Sequence, residues 1–168
     1  MSQDVNWKSY TGDNPDVSGF YNPPDPEYYD DIMKFSNCTN VFVADKDVVS
    51  GQENALDMVR GSNYRFYRCT FSKGPVAAAT IKGSIDGWKM GDCYCPTIEL
   101  GQFDNYWYPG RPPTRNGWLK DMRGKVRVIC WDAEPPVVEN SKVSIWRVPK
   151  FIWYPYFLFR HWQIKWLN

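Results

Sequence analysis

Four acids in the middle of the chain, Asp57, Asp86, Asp92 and Glu99, would support hydrolysis if two of them faced each other. Glycoside hydrolysis needs paired carboxyl groups about 5 Å apart to retain configuration, or about 6.5–9.5 Å apart to invert it. The same four residues also read as solvated strand-edge or turn acids, and Asp86-Gly87 is a common turn pair. Other chemistries have fewer parts. The single histidine, His161, would have to serve a serine or a cysteine nucleophile, and no Gly-x-Ser-x-Gly is present. Neither standard phosphate-binding glycine loop occurs. Cys93-x-Cys95 has the wrong spacing for a zinc knuckle and no nearby histidine. The reading is therefore no catalytic residue, no metal and no cofactor. Cys38, Cys69, Cys93, Cys95 and Cys130 are expected as buried thiols, because the count is odd and residues 1–30 hold no apolar leader.

Cations recur with a period. Met33-Lys34-Phe35-Ser36-Asn37-Cys38, Tyr64-Arg65-Phe66-Tyr67-Arg68-Cys69 and Trp88-Lys89-Met90-Gly91-Asp92-Cys93 each read apolar, basic, apolar, two polar or small residues, cysteine. If the copies stack, Lys34, Arg65 and Lys89 form a basic ladder. Such a ladder would suit an acidic glycan, a phosphate backbone or the carboxylates of a neighbouring subunit, or it would simply guard strand edges against aggregation. A second repeat, Arg60-Gly61-Ser62 and Lys82-Gly83-Ser84, runs beside the first. Repeated short strands with glycine turns cannot bury a core singly and do so by stacking. Cys38, Cys69 and Cys93 should then lie in one column.

The elements follow from this pattern. Strands are expected at 41–43, 47–49, 64–71, 78–82, 88–93, 97–100 and 125–130, with further candidates at 137–138 and 143–148. Ser50-Gly51-Gln52-Glu53 reads as a capping box and Ala55, Leu56, Met58 and Val59 as a helix face over 53–60, but Val59-Arg60-Gly61-Ser62 matches Ile81-Lys82-Gly83-Ser84, which favours strand. Residues 1–32 read as a polar arm with a short capping helix at about 26–31, and 33–148 as the stacked body. A long loop is expected at 104–124, whose Tyr106, Trp107 and Tyr108 are contact candidates. Residues 149–168 form an aromatic tail. Its Trp153, Tyr154, Phe157, Phe159, Arg160, Trp162 and Trp166 are expected at a subunit interface; a membrane-surface role is less favoured because Pro155 interrupts any amphipathic helix.

Ala55 to Ser72, Ala-Leu-Asp-Met-Val-Arg-Gly-Ser-Asn-Tyr-Arg-Phe-Tyr-Arg-Cys-Thr-Phe-Ser, resembles a turn of the pectate-lyase-like right-handed parallel β-helices. The resemblance implies an all-β fold: a short right-handed parallel β-helix of three to four rungs, with an extended N-terminal arm and an aromatic C-terminal extension. In the enzymes of that superfamily an Asp-His pair usually precedes the cysteine. Tyr67 and Arg68 stand there in this chain, and neither can replace a carboxylate that binds calcium or orients a base.

The net charge of +1 gives no global pull toward nucleic acid or anionic lipid. Together these features lead to a non-enzymatic structural or assembly protein that contacts other protein subunits. A phage or other virion component is the expected setting, with a virion or cytoplasmic location and no classical secretion. The alternative is a polysaccharide lyase or hydrolase, or a glycan-binding module, on the same body.

Overall fold

A computed structural model of the chain describes residues 17–22, 33–49, 54–72, 77–102, 110–149 and 151–152. The predicted capping helix at 26–31, most of the arm, and Tyr106, Trp107 and Tyr108 lie outside the described residues. So do His161 and the tail residues Trp153, Tyr154, Phe157, Phe159, Arg160, Trp162 and Trp166.

The described chain is all-β. Its strands are β1 (Val17–Asn22), β2 (Met33–Thr39), β3 (Phe42–Ala44), β4 (Asp47–Val49), β5 (Leu56–Tyr67), β6 (Thr70–Ser72), β7 (Ala79–Lys82), β8 (Asp86–Gly91), β9 (Thr97–Leu100), β10 (Arg115–Lys120), β11 (Lys125–Cys130), β12 (Val137–Glu139) and β13 (Lys142–Arg147). Eleven of them form one sheet, and β4 and β6 form a small second one. Every pairing is parallel except that of β1 with β2. This arrangement fits a β-helix or a barrel.

Within the large sheet the strands fall into two ladders. The first runs β2, β5, β7, β9, β11, β13, and the second runs β3, β5, β8, β10, β12. One strand serves both because β5 bends. Arg60 (φ 59°) and Asn63 (φ 56°) take left-handed conformations in its middle, with Gly61 (φ 107°) between them. A side chain at Gly61 would strike the carbonyl oxygen of Cys38 as well as opposing that φ, so glycine is required there.

The corners repeat in register. Asn40, Asn63, Gly87 and Asn116 all have positive φ at one corner, and Asp45, Arg68, Asp92, Asp121 and Asn140 do so at the next. Asn and Asp tolerate this conformation better than other side-chain-bearing residues. Their side chains also stitch neighbouring turns: Asn63 Nδ2 donates to Asn40 Oδ1 at 2.6 Å, and Asn140 Nδ2 to Asp121 Oδ1 at 2.7 Å.

Inward residues stack into columns. Met33, Leu56, Ala79, Ile98, Val128 and Ile145 form one in successive strands of the first ladder. Val43, Phe66, Met90, Leu119 and Val138 form another in the second. Edge-on ring contacts between Phe35 and Tyr64 (6.0 Å) and between Phe66 and Phe71 (5.6 Å) link the faces. Each such buried ring contributes roughly 1.5–3 kcal/mol.

Several expectations change. The three cysteine signatures do not stack as one set: 64–67 pairs with 88–91, but 33–38 pairs with 56–61. The segment beside Arg65-Phe66-Tyr67 on its other side is Phe42-Val43-Ala44. The period was misjudged because Asn37, like Arg68 and Asp92, is a left-handed residue directly before a cysteine, but it lies opposite Arg60 rather than at their corner. Val59 pairs with Lys82 rather than Ile81, so the Gly-Ser repeat is one residue out of spatial register. Beyond the corner, Ser62 pairs with Asp86, which absorbs one extra residue in the later turn. Residues 56–60 are strand, as the repeat favoured. The excursion expected over 104–124 contains β10, because Gly117-Trp118-Leu119-Lys120 continues the column chemistry of β8.

Candidate functional site

The four acids do not assemble an open catalytic pair. Asp57 and Glu99 share a row of the first ladder, with Thr80 between them, so their backbones are about 10 Å apart. Both are buried. Asp57 sits between two cations, 3.4 Å from Lys34 Nζ and 3.0 Å from Lys82 Nζ. Asp86 and Asp92 lie at opposite ends of β8, about 20 Å apart along an extended strand. Arg115 donates to Asp86 at 2.9 Å and Asn116 at 2.6 Å, and these bonds hold its carboxyl below the usual range. Asp92 is 3.7 Å from Arg123 Nε.

The predicted basic ladder is two cations long. Arg65 and Lys89 are direct neighbours on β5 and β8. Lys34 is in the other ladder, spent on Asp57, because its strand pairs with 56–61. The outward row of the second ladder reads Phe42, Arg65, Lys89, Trp118, Val137, and the next outward row reads Ala44, Tyr67, Gly91, Lys120, Glu139. Adjacent members are one strand spacing, about 4.8 Å, apart.

These rows frame a cleft of about 540 Å³. Phe42, Tyr67 and Trp118 supply rings, and Arg65, Lys89 and Lys120 supply positive charge. Gly91 forms the gap in the second row: a Cβ there would lie 3.3 Å from Tyr67 Cδ2 and narrow the space. Lys89 Nζ is 5.1 Å and Lys120 Nζ 5.5 Å from the centre of the Trp118 ring, so both ammonium groups lie within cation–π reach of the indole. At the rim, Arg68 clamps Asp45 through two bonds of 2.6 and 2.7 Å while lying 4.6 Å from the Tyr67 ring centre. That clamp lowers the Asp45 carboxyl and raises the Arg68 guanidinium. Lys120 is 3.7 Å from Glu139. Among the described residues, neither Arg65 nor Lys89 has an ion-pair partner.

Of the cleft, the sequence reading found only Arg65 and Lys89. Phe42, Tyr67, Trp118 and Lys120 were missed. Their signal was the two-residue alternation Arg65-x-Tyr67, Lys89-x-Gly91 and Trp118-x-Lys120, each followed at once by Arg68, Asp92 or Asp121 at the corner.

A second feature lies at the β12–β13 end. The core columns are sealed until their last members: Val128 and Leu119 are fully buried, but Ile145 is 41% and Val138 36% exposed. Outward-facing Trp146 and Val137 are 53% and 62% exposed beside them. The opposite end of the first ladder carries β1, laid antiparallel on β2.

The thiols are all free and buried. Cys69 and Cys93 are in contact, with the Cys69 N–H donating to Cys93 Sγ at 3.4 Å, while Cys38 stands apart beside Gly61. The single column of three expected from sequence is therefore a pair. No group of three or more metal-ligating side chains occurs among the described residues, and no helix there is long and apolar enough to cross a membrane. Comparison of the chain with protein-family models, curated proteins and solved structures finds no match.

Proposed function

We propose that the protein is a non-enzymatic assembly component, a right-handed parallel β-helix whose β12–β13 end stacks on another protein chain. The observation that carries this reading is the open end of the core. Among the described residues, Ile145 and Val138 terminate apolar columns with nothing in register beyond them, and β13 presents an unpaired backbone edge. An uncovered strand edge flanked by apolar side chains is a template for another chain. A second copy meeting this end about a two-fold axis would present the same residues in return and close the assembly. Phe151, 79% exposed, continues the apolar surface, and the tail follows it directly in sequence.

The first ladder holds six strand positions, which argues for a longer body than three to four rungs. The virion setting is supported by Tyr67 and Arg68 in place of the enzymes' Asp-His pair and by the aromatic excess of the terminal extension. The alternative, a polysaccharide-degrading enzyme, has less support, because Asp57 and Glu99 are enclosed and Asp86 is engaged by Arg115 and Asn116.

The test is the solution mass of the full chain by light scattering. The wild type is expected at twice the chain mass or more. The variant Ile145→Asp/Trp146→Asp is expected at the monomer mass with its β-sheet circular dichroism retained. A wild type that stays monomeric at high concentration defeats the proposal.

A further inference from the structure

The aromatic and cationic cleft lies on the outward face of β3, β5, β8 and β10, with β10 one strand from the open end, and assembly through β13 leaves its residues unused. Its chemistry asks for a ligand with closely spaced negative charges and flat or ring-bearing groups. Arg65 and Lys89 present two cations one strand apart, without ion-pair partners among the described residues. Lys120 adds a third, shared with Glu139 at 3.7 Å. Two acids also line the cleft: Asp92 faces Arg123, while Asp121 accepts from the neutral Asn140 amide and keeps its charge; Asp45 at the rim is clamped by Arg68. Trp118 and Tyr67 flank the gap over Gly91, where a ring or a proline would find two aromatic faces.

The chain itself contains a segment of matching character. Residues 23–31 read Pro23-Pro24-Asp25-Pro26-Glu27-Tyr28-Tyr29-Asp30-Asp31, with four acids, three prolines, two tyrosines and no base. Its three prolines leave less conformational entropy to lose on binding. This segment joins β1 to β2, whose ends are held together where Asn22 pairs with Lys34 in the first ladder. The cleft belongs to the second ladder.

We infer that the cleft formed by Phe42, Arg65, Tyr67, Lys89, Trp118 and Lys120 binds the acidic 23–31 segment of a second copy of this chain. Its acids pair with Arg65, Lys89 and Lys120, and its tyrosines or prolines pack on Trp118 and Tyr67. The inference deepens the assembly reading by adding a lateral contact to the end-on one, and the two contacts use different residues.

The test is a fluorescence-anisotropy titration of a labelled synthetic peptide spanning residues 22–32 with the full-length protein. The end variant Ile145→Asp/Trp146→Asp is titrated in parallel, so that failure of the end contact and failure of the cleft contact are read separately. Binding is expected to both proteins and to weaken as salt is raised. Arg65→Glu/Lys89→Glu should weaken it at least about tenfold, since two exposed ion pairs are lost and two repulsions gained. A peptide with its four acids changed to lysine should bind that variant and not the wild type, a rescue that misfolding could not produce. The inference is overturned if the peptide binds neither the wild type nor a full chain carrying Asp25→Asn/Glu27→Gln/Asp30→Asn/Asp31→Asn, or if Arg65→Glu/Lys89→Glu leaves binding unchanged. Binding only to the neutralised full chain, at concentrations where light scattering shows the wild type to be monomeric, would mean that each copy fills its own cleft, which overturns the second-copy assignment. A sulfated or uronate polysaccharide that binds through Arg65 and Lys89 while the peptide does not would assign the cleft to a glycan instead.

Discussion

Replacing Gly117 with alanine should destabilise the protein through one identified collision. Gly117 on β10 pairs with Trp88 on β8, and the Trp88 indole is fully buried. A Cβ at Gly117 would fall inside van der Waals contact of Cε2 and Cζ2 of that ring, and 2.7 Å from its Nε1. Ordinary carbon contacts are about 3.5–4.0 Å, so the ring or the strand must move by roughly an ångström. Overpacking of this kind costs about 1–3 kcal/mol. Alanine in a strand recovers about 0.5–1 kcal/mol of the glycine's backbone entropy, leaving a net loss of about 0–2.5 kcal/mol, centred near 1. With a urea m-value of about 2 kcal/mol/M, the unfolding midpoint should fall by about 0.5 M. Trp88→Phe alone should also destabilise, because it leaves a void. Combined with Gly117→Ala it should cost less than the sum, with a coupling of about 1 kcal/mol, since the smaller ring vacates the space the methyl enters. Additive effects of Gly117→Ala and Trp88→Phe would refute the β8–β10 register and the packing derived from it.

Three further outcomes are expected. All five thiols should resist an aqueous thiol reagent in the native state and react stoichiometrically in denaturant; rapid labelling of any one without unfolding would contradict its burial. Burial pushes the Cys130 thiol up to about 11 from an ordinary 9.0, so the folded state holds that proton more tightly than the unfolded state does. Its contribution is complete below pH 9 and lost as pH rises from about 9 to 11, so alkaline loss of stability should be smaller in Cys130→Ala than in the wild type. The Asp86 carboxyl is held below its ordinary 3.8 by Arg115 and Asn116, so its contribution is present above that pH and lost as pH falls through the folded value; Asp86→Asn should flatten the acid limb of a stability–pH curve, and an unchanged limb would show that these bonds do not form in solution.

The sequence revealed the alternation within strands more readily than the register between them. Arg65-Phe66-Tyr67 and Lys89-Met90-Gly91 were legible as neighbours because identical spacing to a following cysteine marked both, and they do pair. Met33-Lys34-Phe35 carries the same local pattern but pairs with Leu56-Asp57-Met58, since any outward cation between two apolar residues satisfies a half-buried strand. The better marker was backbone conformation. Asp45, Arg68, Asp92, Asp121 and Asn140 share a left-handed corner, but Arg68 disguises the column because arginine is rarely selected for positive φ. β10 was missed for a related reason: proline and glycine around 109–117 read as a loop, whereas Gly117 is a strand residue made small by Trp88 beside it. The cleft needed both ladders in register before Phe42, Tyr67 and Trp118 could be seen to converge, and no local window contains all three.

The central claim is that the β12–β13 end of the core is covered by another chain, and amide hydrogen exchange measured against protein concentration tests it most directly. Backbone amides of Lys142–Arg147 that do not pair with β11 point to the free edge and exchange quickly when that edge is bare. The account predicts that these amides become protected as concentration rises through the assembly range, while those of β5 and β8 stay protected throughout. Exchange in Lys142–Arg147 that is the same at every concentration, whether fast because the edge stays bare or slow because the chain covers its own end, would contradict it.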